Sequence, residues 1–467
     1  MSVFSSLRDE CPKILPLFLP ILVSQYAAIA SGVIDAAMAG NLGTEELASI
    51  AVGVAVWVPF QAFLLGMLYG LLILVSQACG AGDDLKIRMT TQQGLYTGLL
   101  FGLAGAGSLY FISSYIGEFG IEETIAGHAA QYIRAEAWGL PFACLMFVLR
   151  FYCEGQKIVM PVTVVAVLCI GFKALFNFMF IYGELGAPEL GVVGCGIATV
   201  ATNICFMCMM AGYICLTPNF AGKRLFSSFH APNFRSIWRI FKTGLPIGLC
   251  FTSEFLVFSV IMLFISRGGA VSAAAHQIAF NCVILFFSSA AAFSGAACIR
   301  VGILFGAGDE DNLRRATSGI IALSALLGTL LLILMVANGE LLARTFSNDM
   351  AVIPLAVALL HIAAFFQIVD SMQVCLSGIL RGIGDIYVPF LYTTSGYWLV
   401  GIPLGYALSG MPLPFGLDLP VTYGVRGWWM ALTVALFLAC LSLSFRVRRK
   451  IFCDAIVTAP AQNLEAG

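Results

Sequence analysis

Residues 244–266 read GLPIGLCFTSEFLVFSVIMLFIS, a run long and apolar enough to cross a bilayer, with one carboxylate, Glu254, near its middle. About 20 apolar residues in an α-helix span the hydrocarbon core. A second run, 352–377, carries Asp370 in the same way, and a third, 13–39, carries Asp35 towards its far end. A carboxylate at the centre of a membrane helix costs about 2.5–3.5 kcal/mol on insertion scales. A chain that keeps three of them is expected to use them.

The composition around these runs sets the class. Of the 467 residues, 60% are hydrophobic and only 10% charged, and the mean hydropathy is +0.95. A soluble domain carries about 25% charged residues, so the chain reads as an all-α polytopic membrane protein embedded in the lipid bilayer. Membrane barrel strands would instead alternate over ~10 residues. The net charge of −1 gives no pull towards nucleic acid. The 15 cysteines lie mostly inside apolar runs and read as small packing residues, including Cys205 and Cys208 in mid-helix. The first apolar run is too long for a signal-peptide core and is expected to remain as the first span. No Walker loop, GxGxxG, HExxH or GxSxG pattern occurs, so the chain is not read as an enzyme and no cofactor is expected. Without an ATP site, any transport would draw on a gradient of H+ or Na+.

Twelve spans are predicted, at 13–39, 47–76, 90–113, 129–149, 160–182, 191–216, 238–266, 272–299, 316–337, 352–377, 388–409 and 427–445. The fourth begins with polar turns that are expected to extend beyond the lipid. Of the 24 Lys and Arg residues, only Arg134, Arg267, Arg344 and Arg426 fall on one side of this layout, and Lys173 falls inside a span. The rest fall on the other side, which the positive-inside rule makes cytoplasmic, together with both termini. The halves repeat. Leu19-Pro20 matches Leu245-Pro246, and the Gly-Ala-Gly-Asp ending at Asp83 matches that ending at Asp309, both 226 residues apart (19 to 245, 83 to 309). The expected organisation is an N-lobe of six spans (1–216), a basic cytoplasmic linker, partly an interfacial helix (217–237), a C-lobe of six spans (238–453) and a disordered tail (454–467). Six spans per lobe insert both lobes the same way up, a parallel repeat with a pseudo-two-fold axis along the membrane normal.

Each intramembrane polar residue has a bland reading and a functional one. Asp370 shares a helix face with Gln367, Gln373 and Ser377. Such a stripe either holds the bundle together or faces a water-filled path. The face of Glu254 carries Ile247, Cys250, Phe258 and Ile261. Its partner must therefore come from another helix, a bound cation or a proton, because burial penalises a charged carboxylate. Lys173, in CIGFKALFNFMF with Asn177 one turn on, needs a partner too, and Asp35 is the candidate in the same half. His276, beside Gln277 at the start of the eighth span, and His361 are each read as packed or hydrogen-bonded rather than as proton relays. Asp83 and Asp309 read as turn and helix-capping residues.

The chain also resembles a known family. The stretches VIDAAMAGNLGTEELASIAVG, WVPFQAFLLGML, FIYGELGAPELGVVGCGIAT, TSEFLVFSVIMLFISRGG, AAAHQIAFN, IRVGILFGAGD and SGILRGIGD are similar to the multidrug and toxic compound extrusion (MATE) family, in its bacterial NorM-like branch. They span both halves in order. The resemblance implies cation-coupled antiport that expels cationic, amphipathic drugs and dyes from the bacterial inner membrane. It implies cation, proton and substrate positions at Glu254, Asp370 and Asp35; the first two are read as able to hold Na+, and Lys173, Asn177, Gln277, Gln367 and Phe366 are read as supporting residues. Two residues depart from the pattern. Relatives carry tyrosine or another polar residue where this chain has Phe366, and asparagine where it has Lys173. A fixed positive charge at Lys173 should pair with Asp35 and disfavour Na+ there.

The expected function is thus cation-coupled multidrug antiport by alternating access, by a monomer, with small organic cations as partners. The alternative of a lipid-linked precursor flippase would call for buried Arg or Lys clusters, of which Lys173 is the lone candidate. A non-transporting scaffold or receptor would leave three intramembrane carboxylates unexplained.

Overall fold

The computed structural model describes residues 3–220, 225–227, 229–411 and 422–454. They are helical nearly throughout: α1 (Val3–Gly40), α2 (Thr44–Gly80), α3 (Asp84–Ser113), α4 (Glu123–Ala137), α5 (Leu140–Glu154), α6 (Met160–Tyr182), α7 (Gly191–Leu216), α8 (Phe234–Ser266), α9 (Ala270–Gly306), α10 (Glu310–Ala337), α11 (Gly339–Phe346), α12 (Ile353–Gly382), α13 (Tyr387–Ser395), α14 (Ile402–Leu408) and α15 (Val425–Val447). Among the described residues, ten helices are long and apolar enough to cross a membrane. Lipid offers no hydrogen bonds, so a segment that satisfies every backbone group internally is the form such runs must take.

Two expected spans are broken rather than continuous. The fourth is the pair α4 and α5, bent by 45° at the Trp138–Gly139 break. Pro141, within the first turn of α5, has no N–H to continue the α4 ladder and its ring crowds the carbonyl a turn earlier. Within α4, Tyr132, Ile133 and Glu136 are all buried. The eleventh expected span is α13, a π-helical turn at Gly396–Gly401, and α14. The ten long helices, the bent pair and this interrupted segment together make the twelve-span, two-lobe layout of a multi-pass membrane protein.

The chain separates into two compact units, Val23–Thr252 (the N-unit) and Met1–Leu22 with Ser253–Gly467 (the C-unit). The edges differ from the lobes read in the sequence, because α1 and α8 each contribute to both units. In the C-unit, Glu10 on α1 holds Arg300 on α9 through both carboxylate oxygens, at 2.9 and 3.1 Å. In the N-unit, the start of α8 crosses α2 so closely that a Cβ on Gly66 would lie 2.5 Å from the Gly248 Cα. Small residues allow such backbone approach where lipid supplies no hydrophobic drive.

The repeated Gly-Ala-Gly-Asp segments form the same turn twice. Gly82 and Gly308 both adopt φ +70°, in the left-handed region that favours glycine. Asp83 then caps α3 by accepting from the Lys86 N–H at 2.8 Å, and Asp309 caps α10 by accepting from the Asn312 N–H at 3.1 Å. The Asn312 side-chain amide, donating to Asp309 Oδ2 at 2.7 Å, and the Asn312 N–H together hold the Asp309 carboxyl below the usual aspartate range.

In the expected linker, α8 already begins at Phe234, and the described residues before it are tied down by side chains. Residues 221–224 and 228 lie outside the described part, as does the expected tail beyond 454. Two buried glutamines of α3 hold the rest. Gln92 donates to the Leu225 carbonyl (2.7 Å) and accepts from the His230 N–H (3.1 Å). Gln93 donates to the Ala231 carbonyl (3.0 Å) and accepts from the Asn233 N–H (2.8 Å).

Candidate functional site

Among the described residues, each unit brings ionisable side chains from separate long apolar helices together. In the C-unit, α8 brings Glu254 and α12 brings Asp370 to one pocket, lined also by Phe255, Phe258, Phe280, Val283, Ile284, Phe287, Phe366 and Tyr397. Glu254 is half-buried, whereas Asp370 is 2% exposed. Its Oδ2 accepts no hydrogen bond from the described residues. The two carboxylates act on each other electrostatically, so the cavity is poised to take positive charge, whether a proton or a cation.

The walls are aromatic because α8, α9 and α12 place rings at helical spacing. Phe258 packs on Phe280 at 4.9 Å between ring centroids and edge-on to Phe366 at 6.4 Å. Trp429 backs both Phe258 and Phe366 at 6.1 Å. Aromatic faces attract cations, and more strongly where water is excluded. Phe366 supplies a ring but no oxygen, as its sequence position led us to expect.

The supporting residues separate. Gln373 bridges to Thr393 (2.6 Å) and to Ser377 (3.3 Å), which is the structural role weighed for it. Gln367 is fully buried, with neither amide atom hydrogen-bonded to the described residues. Gln277 bonds Asn281 on the exposed side of α9 (3.1 Å) and does not line the cavity. Its neighbour His276 is buried and lies 5.6 Å from the Trp429 ring.

In the N-unit, α6 brings Lys173 to Asp35 of α1, with Nζ 2.9 Å from Oδ1, and Lys173 is only 1% exposed. Asn177, one turn further, donates to the same Oδ1 at 2.7 Å. The ammonium also bonds the Thr199 hydroxyl of α7. The hydroxyl of Tyr182 on α6 pins the end of α1 through the Met38 carbonyl at 2.8 Å. The expected pairing of Lys173 with Asp35 is therefore present, and an ammonium stands beside Asp35 where a metal ion would have to sit.

One charged residue of this centre escaped the sequence reading. Glu136 of α4 is 1% exposed, and Tyr132 donates to its Oε1 at 2.9 Å. The helix reaches this depth because two neighbours carry no side chain. A Cβ on Gly53 of α2 would lie 2.3 Å from the Tyr132 ring, and one on Gly196 of α7 would lie 2.9 Å from the Ala135 Cβ. The signal was present in α4, where Tyr132, Ile133 and Glu136 form one helical face.

A family model, MatE, matches residues 20–179 and again 246–407. The two matches begin 226 residues apart (20 to 246), the offset of the internal repeat. The chain is 32% identical over 438 residues to the multidrug resistance protein NorM of Aliivibrio fischeri, covering 93% of this chain and 94% of that protein. It is 32% identical over 440 residues to the multidrug resistance protein MdtK of Edwardsiella ictaluri, covering 94% and 95%. Among solved structures, the eukaryotic MATE transporter AtDTX14 superposes with a TM-score of 0.85 at 19% identity, over 95% of this chain and 96% of that one. The chain thus belongs to the MatE family of membrane transporters, which are not enzymes.

Proposed function

We propose that the protein is a proton-coupled multidrug antiporter that exports cationic amphipathic compounds, working as a monomer in the bacterial inner membrane with both termini cytoplasmic. The observation that carries this reading is the C-unit cavity, where Glu254 and Asp370 share one space walled by aromatic rings. A flat organic cation would satisfy the carboxylates with its charge and the rings with its faces. A proton would satisfy the carboxylates alone.

Exchange follows if proton and drug cannot both occupy the cavity. Drug entry would then require the proton to leave, and reprotonation would expel the drug. A ligand shifts a conformational equilibrium only through its different affinity for the two states. Alternating access would therefore couple to which cation neutralises Glu254 and Asp370. The proton is favoured over Na+ by the donor set, because a hard cation takes several oxygen ligands and the wall offers Phe366 at the place where relatives have an oxygen. In the N-unit, Asp35 already holds the Lys173 ammonium, so that centre would answer to protonation rather than to a metal ion.

The test is ethidium efflux from cells carrying Glu254→Gln or Asp370→Asn at normal expression. Each change keeps the shape and removes the charge, and each is expected to abolish efflux. Efflux at the wild-type rate in both would overturn the reading.

A further inference from the structure

We propose that the N-unit contains a proton-binding site built from Glu136, Lys173 and Asp35, in which Glu136 holds the proton and Asp35 holds the charge. The inference rests on how hydrogen-bond donors are shared between the two carboxyl groups. Asp35 receives two, both at Oδ1: the Lys173 ammonium and the Asn177 amide. Glu136 receives one, from Tyr132, and that goes to Oε1. Its Oε2 is buried and accepts no hydrogen bond from the described residues.

The groups that face Glu136 are Tyr132 on its own helix, Lys173 of α6, Asp35 of α1 and Thr199 of α7, with Cys195 on the same turn of α7 interacting with it electrostatically. Of these, the Thr199 hydroxyl does not serve Oε2. It has one hydrogen, and that is directed to the Cys195 carbonyl at 3.1 Å. Its oxygen accepts from Lys173 and keeps a second lone pair. A carboxylate at Glu136 would therefore leave one oxygen with no donor in an apolar interior. A carboxylic acid at Glu136 carries no such charge.

Charge balance points the same way. Two carboxylates against one ammonium would leave a net negative charge buried between helices, which is costly without a partner. One proton makes the set neutral. Because Lys173 pairs with Asp35 and also acts electrostatically on Glu136, it links the two acids. If Asp35 loses its charge, Lys173 is free to turn to Glu136, which then gives up its proton to become the paired carboxylate. One proton would thus pass from Glu136 to Asp35 as the ammonium changes partner, the set staying neutral throughout, with no metal ion involved.

The experiment is infrared difference spectroscopy of the full-length protein in lipid at neutral pH, reading the carbonyl band of buried carboxylic acids. Wild type minus Glu136→Gln is expected to show one such band. Asp35→Asn is expected to lose the same band, because Lys173 then pairs with an ionised Glu136. An identical carboxylic-acid signature in wild type and a folded Glu136→Gln would overturn the proposal. If Glu136→Gln does not fold, Glu136→Asp is used. It is expected to shift the band, and an unshifted band would overturn the proposal equally. The proton site does not depend on the proposed antiport: absence of ethidium efflux would count against that reading, and absence of the Glu136 band against this one.

Discussion

Lys173 is an ammonium in the interior of a membrane helix, and its cost is met by named partners. Removing one member of a buried ion pair typically costs about 3–5 kcal/mol, because the other charge is left uncompensated. Lys173→Met should therefore lower stability by about 3 kcal/mol, measured by thermal or denaturant unfolding in detergent. Adding Asp35→Asn to it should recover part of that loss, since the double variant leaves no unpaired charge between these two positions. Equal losses that simply add would show the pair to be energetically silent. In the C-unit, Phe258 touches Phe280, Phe366 and Trp429. Phe258→Leu keeps an apolar wall and removes a π face, a loss of about 1 kcal/mol. Ethidium affinity, read by fluorescence titration, should fall about fivefold. The Lys173–Asp35 pair was legible in the sequence, because opposite charges in one apolar half have few other partners. Glu136 was not, because its helix opens with polar residues that look exposed until Gly53 and Gly196 are seen to admit it.

Elements show where local rules hold and where tertiary partners override them. The two Gly-Ala-Gly-Asp turns were readable as caps, since glycine's left-handed φ and an aspartate acceptor are local properties. Replacing an N-cap aspartate by alanine costs about 1 kcal/mol, and Asp309→Ala should show that loss near neutral pH. The sign of its pH dependence follows from the lowered carboxyl: the stabilisation is present above the ordinary aspartate value of about 4 and is lost as pH falls through the lower, folded value. Wild type and Asp309→Ala should therefore converge in stability at acid pH. The 45° break before α5 was signalled by Pro141, but the apolar residues on both sides read as one span. The hold of Gln92 and Gln93 on the linker had no sequence signal, because their partners are backbone carbonyls and N–H groups more than a hundred residues away. Gln92→Leu with Gln93→Leu should speed amide hydrogen exchange at His230 and Asn233, measured by mass spectrometry, while the other helices keep their protection. Unchanged exchange there would mean the glutamines do not hold the segment.

For the whole molecule, the repeat was readable because identical turns recur at one offset and the family match recurs with them. The division into compact units was not, because α1 and α8 each serve both, and a hydropathy pattern cannot say which neighbours a helix will choose. The function depends on which cation discharges the C-unit cavity. The most direct measurement is ethidium uptake into inverted membrane vesicles, driven first by an imposed pH gradient at zero Na+ and then by an imposed Na+ gradient at clamped pH. The account predicts uptake with the acidic lumen, its loss in Glu254→Gln, and little or no uptake with Na+ alone. Uptake driven by the Na+ gradient with none under the pH gradient would contradict it.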